Sequence, residues 1–233
     1  MSDASFVVVG GSKGIGLGIV KRLVDAGEKV VVLSRTSTGL EGLNGVSHLP
    51  VDLSADEVFT ESLPERIKGL AYCPGSLNLK MFRSLKPEAF RSDFEVNVIG
   101  AVKSIQAAMP GLKATKNSSL LMFSTVAVGQ GMVAHASIAA SKGAIEGLTR
   151  SLASELAPNT RVNCIAPALT DTPLAERFFA SQDKVSAMSQ KYPLKRTGNV
   201  DDLAAMSVFL MSDQASWITG QVVGVDGGMS SVH

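Results

Sequence analysis

Cysteine, histidine and aromatic residues are scarce in this 233-residue chain, and neither sign of charge is in excess. The two cysteines, Cys73 and Cys164, cannot build a disulfide framework or a zinc site. Both sit in apolar, strand-like runs, where a small buried hydrophobe is expected. The three histidines, His48, His135 and His233, have no ligand spacing, so no metal site is expected. With 22 Lys and Arg against 21 Asp and Glu, the net charge is +1. That leaves no basic excess for a nucleic acid and no polybasic patch for a membrane surface. No apolar run reaches the roughly 18 residues of a membrane span, and the N-terminus lacks the basic start and apolar centre of a secretion signal. A cytoplasmic protein is expected.

What the chain does have is apolar substance. Hydrophobic residues make up 45% and charged residues 18%, which excludes a disordered chain and suffices for a large core. Short β-branched runs at 6–9, 30–33, 46–51, 70–73, 120–123, 162–165 and 222–225 predict seven strands. Helical spacing fills 17–26, 90–109, 138–156 and 203–211. Strands that alternate with helices and lack two-residue hairpin signals make βαβ units. The expected fold is α/β: a Rossmann-type, doubly wound, mostly parallel seven-stranded sheet with helices on both faces. Gly27 is expected to end the first helix, Pro110-Gly111 to close the helix 90–109, and Pro158 to stop the one ending near Ala157. Between Ser34 and Gly69 there is little room for a full crossover helix. No repeat or linker appears, so a single domain over 1–233 is expected.

The sharpest local signal follows the first strand: Val9-Gly10-Gly11-Ser12-Lys13-Gly14-Ile15-Gly16, leading into a helix. Gly10 permits the tight turn, Gly14 lets backbone approach a pyrophosphate, and Gly16 lets the helix pack on the strand. The open helix end offers N–H donors and a positive dipole to phosphate. Gly10, Ser12, Lys13, Gly14, Ile15 and Gly16 are the expected phosphate-binding residues.

The spacing Gly-x3-Gly-x-Gly resembles that of the short-chain dehydrogenase/reductase family, with Val9 where the family usually has Thr. Other segments carry the same likeness in the same order. They are Phe94-Glu95-Val96-Asn97-Val98, Ser124-Thr125, Ala140-Ser141-Lys142, Arg161-Val162-Asn163-Cys164-Ile165-Ala166-Pro167 and Gly220-Gln221-Val222-Val223-Gly224-Val225-Asp226-Gly227-Gly228. The resemblance implies hydride transfer between a nicotinamide cofactor and a carbonyl or carbinol carbon of a small-molecule substrate.

Cofactor choice in dinucleotide folds is made at the end of the second strand, where an acid binds the ribose 2′-hydroxyl and an Arg accepts a 2′-phosphate. Ser34-Arg35 stands there, 19 residues after Gly16 at Arg35, with no acid. Lys13 adds a second cation, so NADP(H) is the expected cofactor. By resemblance Asp52-Leu53 holds adenine, Gly75 lets backbone approach the cofactor, and Pro167, Thr170 and Thr172 flank nicotinamide. Tyr72-Cys73-Pro74-Gly75 departs from the family's Asn-Asn-Ala-Gly, and Ala168 follows Pro167 where Gly is usual.

The family's proton chemistry uses a Tyr four residues before a Lys, one helical turn apart, so that the ammonium favours phenolate. Here Lys142 and the relay residue Asn97 are kept, but Ile138 stands four residues before Lys142. Spacing assigns the substrate-orienting hydroxyl to Thr125, and a one-residue slip would assign it to Ser124. His135 stands seven residues before Lys142, where the enoyl-reductase branch of the family carries its Tyr, and imidazole suits acid–base work near neutrality. Ser137 reads as a helix cap. Two functions remain open: an NADPH-dependent oxidoreductase with altered proton transfer, or a redox-inactive NADP(H)-binding sensor or scaffold. The apolar stretch 171–192 is expected to cover the pocket. Small residues along 138–156 predict close helix packing in a homodimer or homotetramer.

Overall fold

The computed structural model describes residues 4–53 and 63–232. In chain order it contains β1 (Ser5–Val9), α1 (Gly14–Asp25), β2 (Val30–Ser34), β3 (Val46–Pro50) and β4 (Ile67–Tyr72). There follow α2 (Pro87–Phe94), a π turn (Glu95–Ile99), α3 (Gly100–Lys113), β5 (Ser118–Phe123), α4 (Ala127–Gln130) and α5 (Ala136–Leu156). The chain ends with β6 (Thr160–Pro167), α6 (Glu176–Phe179), α7 (Gln182–Ser189), α8 (Val200–Met211) and β7 (Val222–Val225). The strands form one seven-stranded sheet in the order β3-β2-β1-β4-β5-β6-β7. Every pairing is parallel, including Val7 with Val31 and Leu120 with Val162. The expected crossover between Ser34 and Gly69 falls partly on residues outside those described.

Period-two alternation sends successive side chains of each strand to opposite faces, so each strand feeds two cores. Val7 and Val9 of β1 join Ile105 and Leu112 of α3 and Ile145 of α5 on one face. Phe6 and Val8 join Ile19 and Leu23 of α1 and Leu203 and Leu210 of α8 on the other. Strands buried on both faces explain the near-continuous Val/Ile/Leu runs. Strand order reverses between β1 and β4, and ligand crevices in such sheets lie outside the strand C-termini at that switch point.

Gly27 ends α1 as expected: its φ is +76°, and its N–H donates to the Val24 carbonyl. Three expectations fail. The segment 90–109 is not one helix: the π turn divides α2 from α3, and α3 runs past Pro110 to Lys113. Pro110 removes one helical donor. Burial of Gly111 and Leu112 outweighs that loss, and a Cβ on Gly111 would lie 2.7 Å from the Pro64 carbonyl oxygen. Ser137 does not cap α5: the cap position is His135, and the Ser137 hydroxyl lies buried inside the first turn without a protein partner.

Candidate active site

The side of the crevice expected to take the nucleotide is made of backbone. Gly14 has φ +53°, which side-chain-bearing residues rarely adopt. A Cβ on Gly16 would lie 2.3 Å from the Gly10 carbonyl oxygen, so only glycine lets α1 start this close to β1. The N-cap residue Lys13 makes no side-chain cap, and the first turn of α1 carries no acid. The first N–H donors of α1 therefore face the crevice without a side-chain acceptor, the arrangement that phosphate binding requires. Ser12 is buried in the loop, whereas Lys13 at its rim and Arg35 just past β2 are both exposed. The Gly10 N–H donates to the Leu33 carbonyl at 2.7 Å, tying the loop to the end of β2. Ser34 turns inward, its hydroxyl donating to the Thr36 carbonyl at 2.8 Å and lying 3.1 Å from His48 Nε2. Asp52 and Leu53 follow the end of β3, Asp52 exposed and Leu53 packed against the core.

The side expected to carry the chemistry is made of side chains around a cavity of about 250 Å³. Its wall includes Ile15, Cys73, Gly75, Ser76, Ser124, Thr125, His135, Ile138, Lys142, Pro167, Thr170, Thr172 and Tyr192. Leu77, Leu79, Met132, Leu169, Leu174, Phe178, Met188 and Met229 make the rest of that wall mostly apolar. Leu174, Phe178 and Met188 come from the segment expected to cover the pocket.

Lys142 sits at the floor, 8% exposed, with Nζ donating to the Phe123 carbonyl at 2.9 Å. Burial pulls its ammonium down to about 8, against the opposing influence of Cys164, Cys73 and Asp93. Gly75 faces it: a Cβ there would lie 3.5 Å from Lys142 Nζ and 3.4 Å from Asn97 Oδ1. One turn before Lys142 on the same face of α5, Ile138 is buried against the cavity.

Asn97 is held by the π turn, and the turn is held by Tyr72. The Tyr72 hydroxyl donates to the Val96 carbonyl at 2.6 Å, and a Cβ on Gly100 would lie 2.3 Å from that phenol oxygen. Asn97 Nδ2 donates to Ser76 Oγ at 2.8 Å and to the Asp93 carbonyl at 2.7 Å, while its Oδ1 is buried without a partner. Ser76 in turn donates to Asp93 Oδ1 at 2.6 Å. Burial pushes the Tyr72 phenol well above its usual range, so it is a structural donor.

The two candidate hydroxyls differ. Ser124 Oγ donates to Glu146 Oε1 at 2.7 Å, whereas Thr125 Oγ1 accepts the Ala127 N–H at the start of α4. His135 Nδ1 lies 2.8 Å from the Val133 carbonyl, which can only accept, so Nδ1 carries a hydrogen. Thr170 Oγ1 donates to the Ala168 carbonyl, and Thr172 Oγ1 to the Thr170 carbonyl. Cys164 is buried in β6 as expected. Cys73 reaches the cavity wall, and burial pushes its thiol up to about 12, so it stays protonated. Among the described residues no group of His, Cys, Asp or Glu could hold a metal ion, and no helix is long and apolar enough to cross a membrane.

Four side chains escaped the sequence reading. Ser76, Asp93 and Glu146 carry no motif, and only the fold brings them to Asn97 and Ser124. Tyr192, 169 to 192 being joined through the Leu169 N–H to its phenol oxygen at 3.3 Å, reaches the cavity from the covering segment. Its burial raises the phenol above its usual value.

The protein-family model described as Enoyl-(Acyl carrier protein) reductase matches residues 9–230. The chain belongs to the short-chain dehydrogenase/reductase family. It is 34% identical over 233 residues to 3-oxoacyl-[acyl-carrier-protein] reductase MabA of Mycobacterium tuberculosis (strain ATCC 25618 / H37Rv), covering 98% of this chain and 94% of that one. It is 33% identical over 230 residues to L-xylulose reductase of Bos taurus, covering 95% and 94%. A solved short-chain type dehydrogenase/reductase from Mycobacterium ulcerans superposes with a TM-score of 0.87 at 30% identity, covering 99% of this chain and 90% of that one. Such short-chain enzymes are nicotinamide-dependent oxidoreductases, and the uncapped α1 with its glycine cradle fits that cofactor.

Proposed function

We propose that this single-domain short-chain oxidoreductase uses NADP(H) to interconvert a small, largely apolar alcohol and its carbonyl, or to reduce an enoyl group. The observation that carries the reading is Lys142, buried at the cavity floor beside Gly75 and Asn97. When bound, the nicotinamide supplies or accepts the hydride. Gly10, Ser12, Lys13, Gly14, Ile15 and Gly16 hold its pyrophosphate, Lys142 its ribose, and Pro167, Thr170 and Thr172 its carboxamide side. Asp52 and Leu53 hold the adenine. Exposed Arg35 and Lys13, with Ser34 between strand and loop, support a 2′-phosphate in preference to a bare hydroxyl. Ser124 or Thr125 orients the substrate oxygen, and His135 lies on the same wall. Ile138 stands where the family's proton-transferring Tyr acts, so the proton step has another carrier.

Ile138 also favours a second reading, a redox-inactive NADP(H)-binding sensor or scaffold. Turnover decides between them: the enzyme oxidises NADPH with at least one compound of an apolar ketone, aldehyde and enoyl panel. Tight NADPH binding with no turnover anywhere on the panel selects the sensor. Equal affinity for NADPH and NADH defeats the cofactor assignment. We also infer a homodimer or homotetramer. Trp217 is 99% exposed, and a side chain at Gly147 on α5 would meet open space, which supports a covering second copy. A light-scattering mass near the 24.3 kDa of one chain would refute it.

A further inference from the structure

We propose that Tyr192 sets the substrate class of this site: its phenol donates to a second acceptor oxygen on the substrate, a few bonds from the carbonyl that reacts; this deepens the oxidoreductase reading above and rests on it. A ligand in a mostly apolar cavity is oriented by the few donors that the protein has left uncommitted. Six hydroxyls line the wall: Ser76, Ser124, Thr125, Thr170, Thr172 and Tyr192. Four of them have given their hydrogen to the protein. Ser76 donates to Asp93 Oδ1, Ser124 to Glu146 Oε1, Thr170 to the Ala168 carbonyl and Thr172 to the Thr170 carbonyl.

Thr125 and Tyr192 are the other two, and they are built alike. Each accepts a backbone N–H, Thr125 Oγ1 from Ala127 and the Tyr192 phenol oxygen from Leu169, both at 3.3 Å. Each therefore keeps a hydrogen that meets no acceptor among the described residues. Tyr192 is only 2% exposed, so its hydrogen is turned to the cavity and not to bulk water. A buried hydroxyl left in this way is a cost that a bound acceptor removes. Burial raises the phenol above its usual value, so Tyr192 holds its hydrogen and acts as a donor, not as a proton carrier. Its backbone N–H donates to the Ser189 carbonyl and its carbonyl accepts from the Lys195 N–H, so the ring enters the cavity from a fixed point.

The places of the two donors show what they can hold. Thr125 lies two residues after Phe123, whose carbonyl accepts from Lys142 Nζ, so it stands at the lysine end and takes the reacting oxygen. The Val126 N–H donates to the Pro167 carbonyl, and the Leu169 N–H to the phenol. Both hydroxyls thus adjoin one short stretch, 167–169, which spans about 7 Å at full extension. Donors so placed fit two acceptors a few bonds apart on one molecule. The side chains that 174–188 add to the wall, Leu174, Ala175, Phe178 and Met188, cannot hold an oxygen, which leaves that task to the phenol.

Ethyl acetoacetate and 2-heptanone share a chain length and a methyl ketone, and only the ester carries a second carbonyl. Nuclear magnetic resonance titration of the protein saturated with NADP+ should show the ester binding about 10-fold more tightly, although the ketone is the more apolar ligand. Tyr192→Phe removes the hydroxyl and keeps the ring, and should bring the two affinities within about threefold of each other. Thr125→Val should weaken both ligands by a similar factor and preserve the preference. In turnover with NADPH, the ester-to-ketone ratio of kcat/KM should fall about 10-fold from wild type to Tyr192→Phe. The ester's greater intrinsic reactivity is present in both proteins and cancels in that comparison. A wild type that binds the two ligands alike, or binds neither, overturns the assignment without any variant. A preference that survives Tyr192→Phe overturns it too, and gives the ring a packing role only. Turnover without preference overturns it while leaving the oxidoreductase reading intact. A binding preference that Tyr192→Phe removes, in a protein with no turnover, supports the phenol as the ligand's donor and defeats the oxidoreductase reading alone.

Discussion

Two halves of one strand edge are built by different means. Over β1 and β2 the surface proposed to take the nucleotide is main chain: glycine turns, a helix end and the carbonyl of Leu33 that accepts the loop's N–H. Over β4 to β6 it is side chain: Lys142, Asn97, Ser76 and Ser124, each positioned by a partner on another element. Main-chain recognition depends on the shape of the fold and tolerates change in side chains. Side-chain chemistry changes with one codon. A family built this way can retain nucleotide binding while its reaction alters, and Ile138 beside an intact Lys142 is the position where that separation is expected.

The comparison is broken most severely by giving the backbone half a side chain. Gly16→Val would drive a Cβ into the Gly10 carbonyl, 2.3 Å away. NADPH affinity should drop by about 100-fold or more, roughly 3 kcal/mol at 1.4 kcal/mol per tenfold, as measured by calorimetric titration. Affinity within about threefold of wild type would show that the loop adapts.

Arg35→Asp tests a place where that half is proposed to rely on a side chain. Charge-assisted bonds to phosphate contribute about 1.5–3 kcal/mol. The ratio of NADPH to NADH affinity should therefore fall by about 10- to 100-fold in parallel titrations. A ratio that does not move removes Arg35 from cofactor choice.

Lys142→Met tests the side-chain half through stability. The folded-state value of about 8 lies below the 10.5 of a free lysine. The charged form is thus penalised by folding: the cost is full below about 8 and fades as pH rises towards 10.5. At about 1.4 kcal/mol per unit, the variant should gain up to about 3 kcal/mol at neutral pH without nucleotide. Its advantage should vanish near pH 10.5. Urea unfolding at pH 7 and pH 10 measures both, and NADPH affinity should fall about tenfold. A variant less stable at pH 7 would show that the bond to Phe123 outweighs burial.

Ile138→Tyr should have the smallest and most informative effect. A phenol one turn before Lys142 should raise carbonyl reduction by about tenfold at unchanged NADPH affinity. No gain would mean that the cavity at this position no longer presents the substrate oxygen to α5.

The sheet was legible because parallel strands buried on both faces must read as continuous apolar runs, and glycines at forced turns cannot be substituted. The convergence of Ser124, Thr125, His135 and Lys142 on one cavity, with Asn97 buried behind Gly75, was legible through order and spacing. The helix break at Glu95–Ile99 was not. Its cause, the Tyr72 phenol on the Val96 carbonyl, lies 24 residues away. Glu146 was hidden for the same reason: nothing in the helix pattern of 138–156 distinguishes a solvated acid from one that meets Ser124, 22 residues earlier. Pro110 misled because local propensity was outweighed by tertiary burial.

The π turn also constrains how this chain can vary in length. It carries one residue more per turn than the α-helix on either side. Loss of one residue between 95 and 99 can therefore be absorbed by closing the turn to α geometry, and Ala101, Ile105, Ala108 and Leu112 keep their place against the sheet. The same loss inside α3 has no such reserve and would rotate the residues beyond it by about 100°. Among descendants of this sequence a gap is expected at 95–99 sooner than at 100–113, and its cost falls on the seat of Asn97 and not on the core.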